Sequence, residues 1–220
     1  MYHFDSKCEL GSSLPKFTQD QVKNEPMFFS AKPSFAYMNG GAITRAFLEK
    51  FCTDHGQEVM LSDEYCFDSR VHMLMKGWYP CIPGWHHDDV PRSRGDGQPD
   101  YSNPPYRPKH CLALVGAEVS ATEFAIGSCE LPHTDGVVYR DWHPLVDALV
   151  ASNSLERFTV PDRTLIHFDD HAFHQGTKAV QNGWRWFGRI TWNAGYPKRH
   201  RHNEIRRQVN VYMDNPMNGW

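Results

Sequence analysis

Apolar and polar positions recur along this chain with two different periods. From Ala42 to His55 the apolar residues Ile43, Ala46, Phe47 and Phe51 return every three or four positions, which predicts a helix, and Gly56 is placed to end it. Before it, residues 1–42 are broken by Pro15, Pro26, Pro33 and the Gly40-Gly41 pair, and irregular chain is expected there. Val71-His72-Met73-Leu74-Met75 reads as a buried strand, closed by the turn Tyr79-Pro80-Cys81-Ile82-Pro83-Gly84. Further strands are expected at Cys111–Val119, Phe124–Gly127, Phe158–Val160, Thr164–Phe168 and Trp186–Trp192. Leu145–Val150 reads as a short helix with Pro144 near its start. Residues 90–110 are polar and rich in proline and glycine, a long loop of the kind that serves as a lid or binding loop. Short strands divided by turns, with a helix packed outside, favour a mainly β fold with flanking helices, a barrel or jelly roll.

Composition narrows the class. At 220 residues a single domain is expected, and 40% hydrophobic with 13% aromatic residues is enough to fill a core. A net charge of −3 exerts no general pull on nucleic acid or anionic membrane, although a basic run, Lys198 to His202, and Arg206-Arg207 mark residues 196–220 as a basic tail. The six cysteines show no Cys-x-x-Cys pair, no secretory signal opens the chain, and no window approaches 18 apolar residues. A cytoplasmic setting with free thiols, and no membrane partner, is the expectation.

The chemistry concentrates in two places. Gly84-Trp85-His86-His87-Asp88-Asp89 holds a His-x-Asp pair in two registers, His86/Asp88 or His87/Asp89, and on a strand only one of them faces a given side. His174-Gln175-Gly176 follows 86 residues after Asp88 (174 − 88), with Arg185 and Arg189 lying 11 and 15 residues further on. Two imidazoles and a carboxylate can hold one face of an iron octahedron, and an arginine offers a planar fork for a ligand carboxylate. Other arrangements compete. His133-Thr134-Asp135 and His167-Phe168-Asp169 repeat the His-x-Asp spacing, and His167, His171 and His174 would form a zinc cluster on one helix face, against which Thr164-Leu165-Ile166 speaks as β-branched and aliphatic sequence. Arg185 and Arg189 would stack on neighbouring rings if no anion called for them.

Trp85-His86-x-Asp88 after the Pro83-Gly84 turn, Asp162 to Phe168, and His174-x-Gly176 with its trailing arginines together resemble the Fe(II)/2-oxoglutarate-dependent dioxygenases. The likeness is strongest to the phytanoyl-CoA hydroxylase-like branch. It covers about residues 70–195 and departs at Arg163, where glycine is usual, and at Gln175. The resemblance implies a double-stranded β-helix (jelly roll, cupin-like) core over 70–195, following an irregular and helical 1–69, with 90–110 as a lid-like loop. It implies His86, Asp88 and His174 as metal ligands and Arg185 as the anchor for 2-oxoglutarate, with Arg189, Trp85 and Tyr79 as substrate or pocket positions. Fe(II), 2-oxoglutarate and dioxygen are the implied cofactors. Hydroxylation of a small organic substrate, anionic if the nearby basic residues bear on it, with release of succinate and CO2, is the implied reaction. Two other readings stand beside it: a non-catalytic cupin-like metal-binding protein, and a nucleic-acid-directed binding or base-modifying protein, which the mild acidity disfavours.

Overall fold

The computed structural model describes residues 1–195 and 203–213, so the basic run Lys198 to His202 lies outside the described residues. In chain order the elements are β1 (Tyr2–Ser6), β2 (Cys8–Ser13), α1 (Gln19–Asn24), β3 (Met27–Phe29), α2 (Pro33–Asn39), α3 (Ala42–His55), β4 (Cys66–Leu74), β5 (Lys109–Val115), β6 (Thr122–Leu131), α4 (Val138–Ala151), β7 (Glu156–Thr159), β8 (Thr164–Asp169), β9 (Phe173–Gly176), β10 (Gly183–Trp192) and β11 (Glu204–Arg206). One antiparallel sheet runs β2-β8-β5-β10-β4. In the other, β6 pairs with β1, β7 and β9, and a bridge from His86 to His174 adds the residue-86 segment beside β9. From β4 the chain passes to the residue-86 segment, back to β5, across to β6 and β7, back to β8, across to β9 and finally to β10. That alternation between two facing sheets is a double-stranded β-helix, mainly β with helices outside.

Strand composition follows from which faces are covered. All of β5 after Lys109 is buried, because α3 lies over one face of the large sheet and the second sheet over the other. Along β10 the period of two sends Trp186 and Ile190 to the helical side, and Arg185, Phe187 and Arg189 to the interior. α3 buries Ile43, Phe47, Leu48 and Phe51 completely, each contributing about 1.5–3 kcal/mol. Its open N-terminal amides are met by the buried Glu25 carboxylate, which accepts from Gly41, Ile43 and Thr44 at 2.9, 3.2 and 2.9 Å. At the other end Gly56 takes φ +96°, the left-handed side that glycine reaches without strain. α4 covers the second sheet, packing Tyr139, Trp142 and Val146 against Phe4, Trp85 and Phe173.

Several expectations change. Residues 1–42 hold β1, β2, β3, α1 and α2 rather than irregular chain, because short edge strands need too few residues to develop a visible period. The helix expected over 145–150 spans Val138–Ala151, with Pro144 inside it; the bond this proline cannot donate would have gone to the carbonyl of Arg140, an exposed residue. β4 begins at Cys66, and Met73 is 42% exposed, so this is an edge strand and not a fully buried one. Arg163, where the resemblance expected glycine, adopts a glycine-like φ of +58°. No described helix is long and apolar enough to cross a membrane.

Candidate metal centre

His86 is not on a strand, as the His-x-Asp spacing suggested, but at a single antiparallel bridge. The Pro83-Gly84 turn, with Gly84 at φ +112°, delivers it beside β9, where His86 and His174 exchange backbone hydrogen bonds of 3.0 and 3.1 Å. Their ring centres lie 4.6 Å apart. Asp88 comes from the same loop, and one ligand atom from each of His86, Asp88 and His174 lies within 4.8 Å of the others.

The hydrogen bonds decide which atoms face inward. Nδ1 of His86 donates to the Gly84 carbonyl at 2.8 Å, and Nδ1 of His174 donates to the Ala172 carbonyl at 2.9 Å. A carbonyl only accepts, so in both rings Nδ1 carries a proton and Nε2 is the nitrogen turned toward Asp88. Burial, then the neighbouring His174, pushes the His86 pKa down to about 4, so this ring is neutral at physiological pH. The two Nε2 atoms lie 3.9 Å (His86) and 3.1 Å (His174) from Asp88 carboxylate oxygens. Two imidazole Nε2 atoms and a carboxylate gathered this closely can share one cation, and two imidazoles with one carboxylate is the donor set of a non-haem iron site. Burial alone would raise the Asp88 carboxyl, but the Arg189 guanidinium and His174 hold it well below the usual carboxylate range. Arg189 grips both Asp88 and Asp89, the latter at 2.9 Å.

Arg185 is 3% exposed and pairs with no carboxylate among the described residues. Its Nε donates to the Ser120 carbonyl at 2.7 Å and one terminal nitrogen to Thr122 Oγ1 at 3.2 Å. Burial, with Arg70 adding repulsion and the nearby Cys81 opposing it, pushes its pKa down to about 10, so it stays charged with no carboxylate partner among the described residues. It shares with His86, Asp88, His174 and Arg189 a cavity of about 110 Å³ whose apolar wall is Leu112 and Phe187. The residues present therefore fit a divalent metal and, beside it, a carboxylate ligand.

Other expected positions lie elsewhere. Trp85 does not line this cavity: it is wholly buried in the second core, the cluster that also holds Phe4 and Trp142, and its indole nitrogen donates to Asp147 at 2.7 Å. Tyr79 is drawn aside by a backbone pair with Tyr212 and by Lys178 over its ring. His87 points away from His86 and packs on Phe173 with ring centres 3.9 Å apart. Asp89 turns back through φ +52° to meet Arg189. His133 is exposed on Tyr2, His167 packs near His55, and His171 lies against Phe4, so none of these joins the site: not His133/Asp135, not His167/Asp169, and not the three-histidine cluster. Loop 90–108 contributes nothing to the cavity lining; Tyr101 ties it to Tyr139 and His87, and Arg107 ties it to Asp170.

Sequence reasoning missed Arg70, His72 and Thr122, which also line the cavity. The available signal was the polar alternation Asp68, Arg70, His72, which runs into the buried strand expected from Val71.

No protein-family model matches the sequence, and no curated protein matches it. Among solved structures, the chain is similar to HygX from Streptomyces hygroscopicus with iron bound, at 10% identity and a TM-score of 0.39, covering 94% of each chain. It is similar to the non-heme alpha ketoglutarate dependent epimerase SnoN from nogalamycin biosynthesis, at 10% identity and a TM-score of 0.46, covering 94% of this chain and 91% of that one. It is also similar to EvdO2 from Micromonospora carbonacea var. aurantiaca, at 14% identity and a TM-score of 0.40, covering 92% and 74%. Likenesses this distant carry neither a reaction nor a substrate to this chain, and the chemistry must come from the side chains of the cavity itself.

Proposed function

We propose that this chain is a non-haem Fe(II)/2-oxoglutarate-dependent oxygenase that hydroxylates an organic substrate. One observation carries the reading: two imidazoles, each turned by an Nδ1–carbonyl bond so that Nε2 faces inward, converge with a carboxylate in the cavity that also holds a buried arginine paired with no carboxylate among the described residues. Fe(II) with 2-oxoglutarate and dioxygen supplies the oxidising power for C–H hydroxylation, with succinate and CO2 as co-products.

The chain's own residues do the rest. His86, Asp88 and His174 would hold the metal, each offering one ligand atom. Arg189 steadies the Asp88 carboxylate, and the two backbone carbonyls fix each imidazole in one tautomer and one orientation. Arg185, aimed by Ser120 and Thr122, binds the far carboxylate of 2-oxoglutarate. Leu112 and Phe187 keep that wall of the cavity dry.

An anaerobic titration with Fe(II) and 2-oxoglutarate tests this. The weak visible charge-transfer band of a metal–keto-acid complex should develop in the wild type and in His133→Ala, and be lost in His174→Ala. Equal loss in both variants, or no band at all, overturns the reading. A band without succinate release in air, across a broad substrate panel, favours the non-catalytic metal-binding alternative.

A further inference from the structure

Beside the proposed metal and 2-oxoglutarate positions, part of the cavity carries positive charge with no assigned task. The inner face of β4 presents Asp68, Arg70 and His72, each two residues from the last. Asp68 is engaged, accepting from the Ser30 amide at 3.1 Å and facing Arg206 at 3.6 Å. Arg70 makes no hydrogen bond or ion pair among the described residues. His72 is 1% exposed, and its ring faces the Asn210 backbone, loosely enough that neither nitrogen makes a formed hydrogen bond. Burial, then Arg185 and Arg70, pushes its pKa down to about 3, so it is a neutral ring with one N–H to give.

Both residues line the metal cavity, and Arg70 also lines an adjoining one of about 240 Å³. Arg70, Pro80, Cys81 and His86 are common to the two, and the far wall is built by Arg206, Gln208, Asn210 and Tyr212 of the C-terminal segment. The charges in this region nearly cancel. Arg189 answers Asp89, and Arg206 answers Asp68. In the proposed complex a divalent metal, Asp88, dianionic 2-oxoglutarate and Arg185 sum to zero. Among the described residues Arg70 is left as one uncompensated positive charge bordering the adjoining cavity. The basic residues that suggested an anionic substrate from sequence are occupied elsewhere: Arg92 with the Gly97 carbonyl, Arg94 with Asp96, and Arg107 with Asp170.

We propose that Arg70 and His72 form an oxyanion-recognition subsite, and that the substrate carries a carboxylate or phosphate group which docks on them from the side of residues 206–212. A planar guanidinium offers two parallel donors to either group, and the buried imidazole adds a third. This assignment rests on the oxygenase reading for what else the cavity holds.

The test uses the full chain saturated with Ni(II) and 2-oxoglutarate, titrated calorimetrically with benzoate, phenyl phosphate and benzamide. Benzoate or phenyl phosphate should bind at least tenfold tighter than the uncharged benzamide, and which of them does so identifies the oxyanion. Arg70→Gln should abolish that preference and Arg70→Lys keep part of it, both still binding Ni(II) and 2-oxoglutarate as the wild type does. Arg92→Gln should leave the preference unchanged. No preference in a wild type that holds 2-oxoglutarate, or an equal preference in Arg70→Gln, overturns the subsite. An Arg70-dependent preference in a chain that never binds 2-oxoglutarate keeps the subsite and removes the oxygenase.

Discussion

Arg185→Met separates a ligand anchor from a structural arginine. In the folded chain, burial pushes the Arg185 pKa from 12.5 down to about 10, which corresponds to about 3 kcal/mol at about 1.4 kcal/mol per factor of ten. The sign is unfavourable. The unfolded chain binds this proton more tightly, so the cost is fully in force at neutral pH and is released only as pH climbs through about 10. Against it stand the bonds to Ser120 and Thr122, each worth about 0.5–1.5 kcal/mol, plus about 1–3 kcal/mol for any acceptor left buried and unmet. The opposing terms are of similar size, so urea unfolding should place the variant within about 2 kcal/mol of the wild type. Binding should respond differently. Losing a charge-assisted fork worth about 1.5–3 kcal/mol weakens 2-oxoglutarate by roughly 10- to 150-fold in the anaerobic Fe(II) titration. A stability loss beyond about 4 kcal/mol with unchanged 2-oxoglutarate affinity would refute the assignment, because Arg185 would then be holding β10 to the Ser120 turn and nothing more.

Other predictions concern the frame around the site. Trp85→Phe removes the bond to Asp147 and part of a core ring, and should cost about 1–3 kcal/mol in urea unfolding while the Fe(II)/2-oxoglutarate band is unchanged; a lost band at full stability would return Trp85 to the pocket. His110 is wholly buried and its pKa is pushed down to about 4, mainly by burial and then by Arg189. The unfolded chain takes up this proton first, so stability should fall as pH drops from 6.5 toward 4, with His110 supplying about 2 kcal/mol of the loss by pH 5. His110→Phe should flatten that dependence, and an identical pH profile in the variant would contradict a neutral buried His110. Gly116→Ala should destabilise by about 2–4 kcal/mol, because its φ is +91° and an added Cβ would sit 2.5 Å from the Trp184 carbonyl oxygen; a Tm within a degree of wild type would show that the loop can yield.

Sequence alone determined what local chemistry controls. The period of Ile43, Phe47 and Phe51, and the glycine after them, specify α3, because a helix face and its end are written in adjacent residues. The continuous apolar run of β5 likewise reveals a strand covered on both faces. The residue types of the candidate site were also legible, since His-x-Asp and His-x-Gly are short patterns. Tertiary structure decided the rest. Which histidine of the 86–87 pair turns inward depends on a bridge to His174, 88 residues away (174 − 86), and on Gly84 and Asp89 bending the loop. No local period encodes that pairing. Nor does the sequence show that Trp85 is core and Arg70 cavity: both judgements need the opposite sheet in place, because burial and the absence of a counter-ion are properties of what surrounds a side chain rather than of the side chain itself.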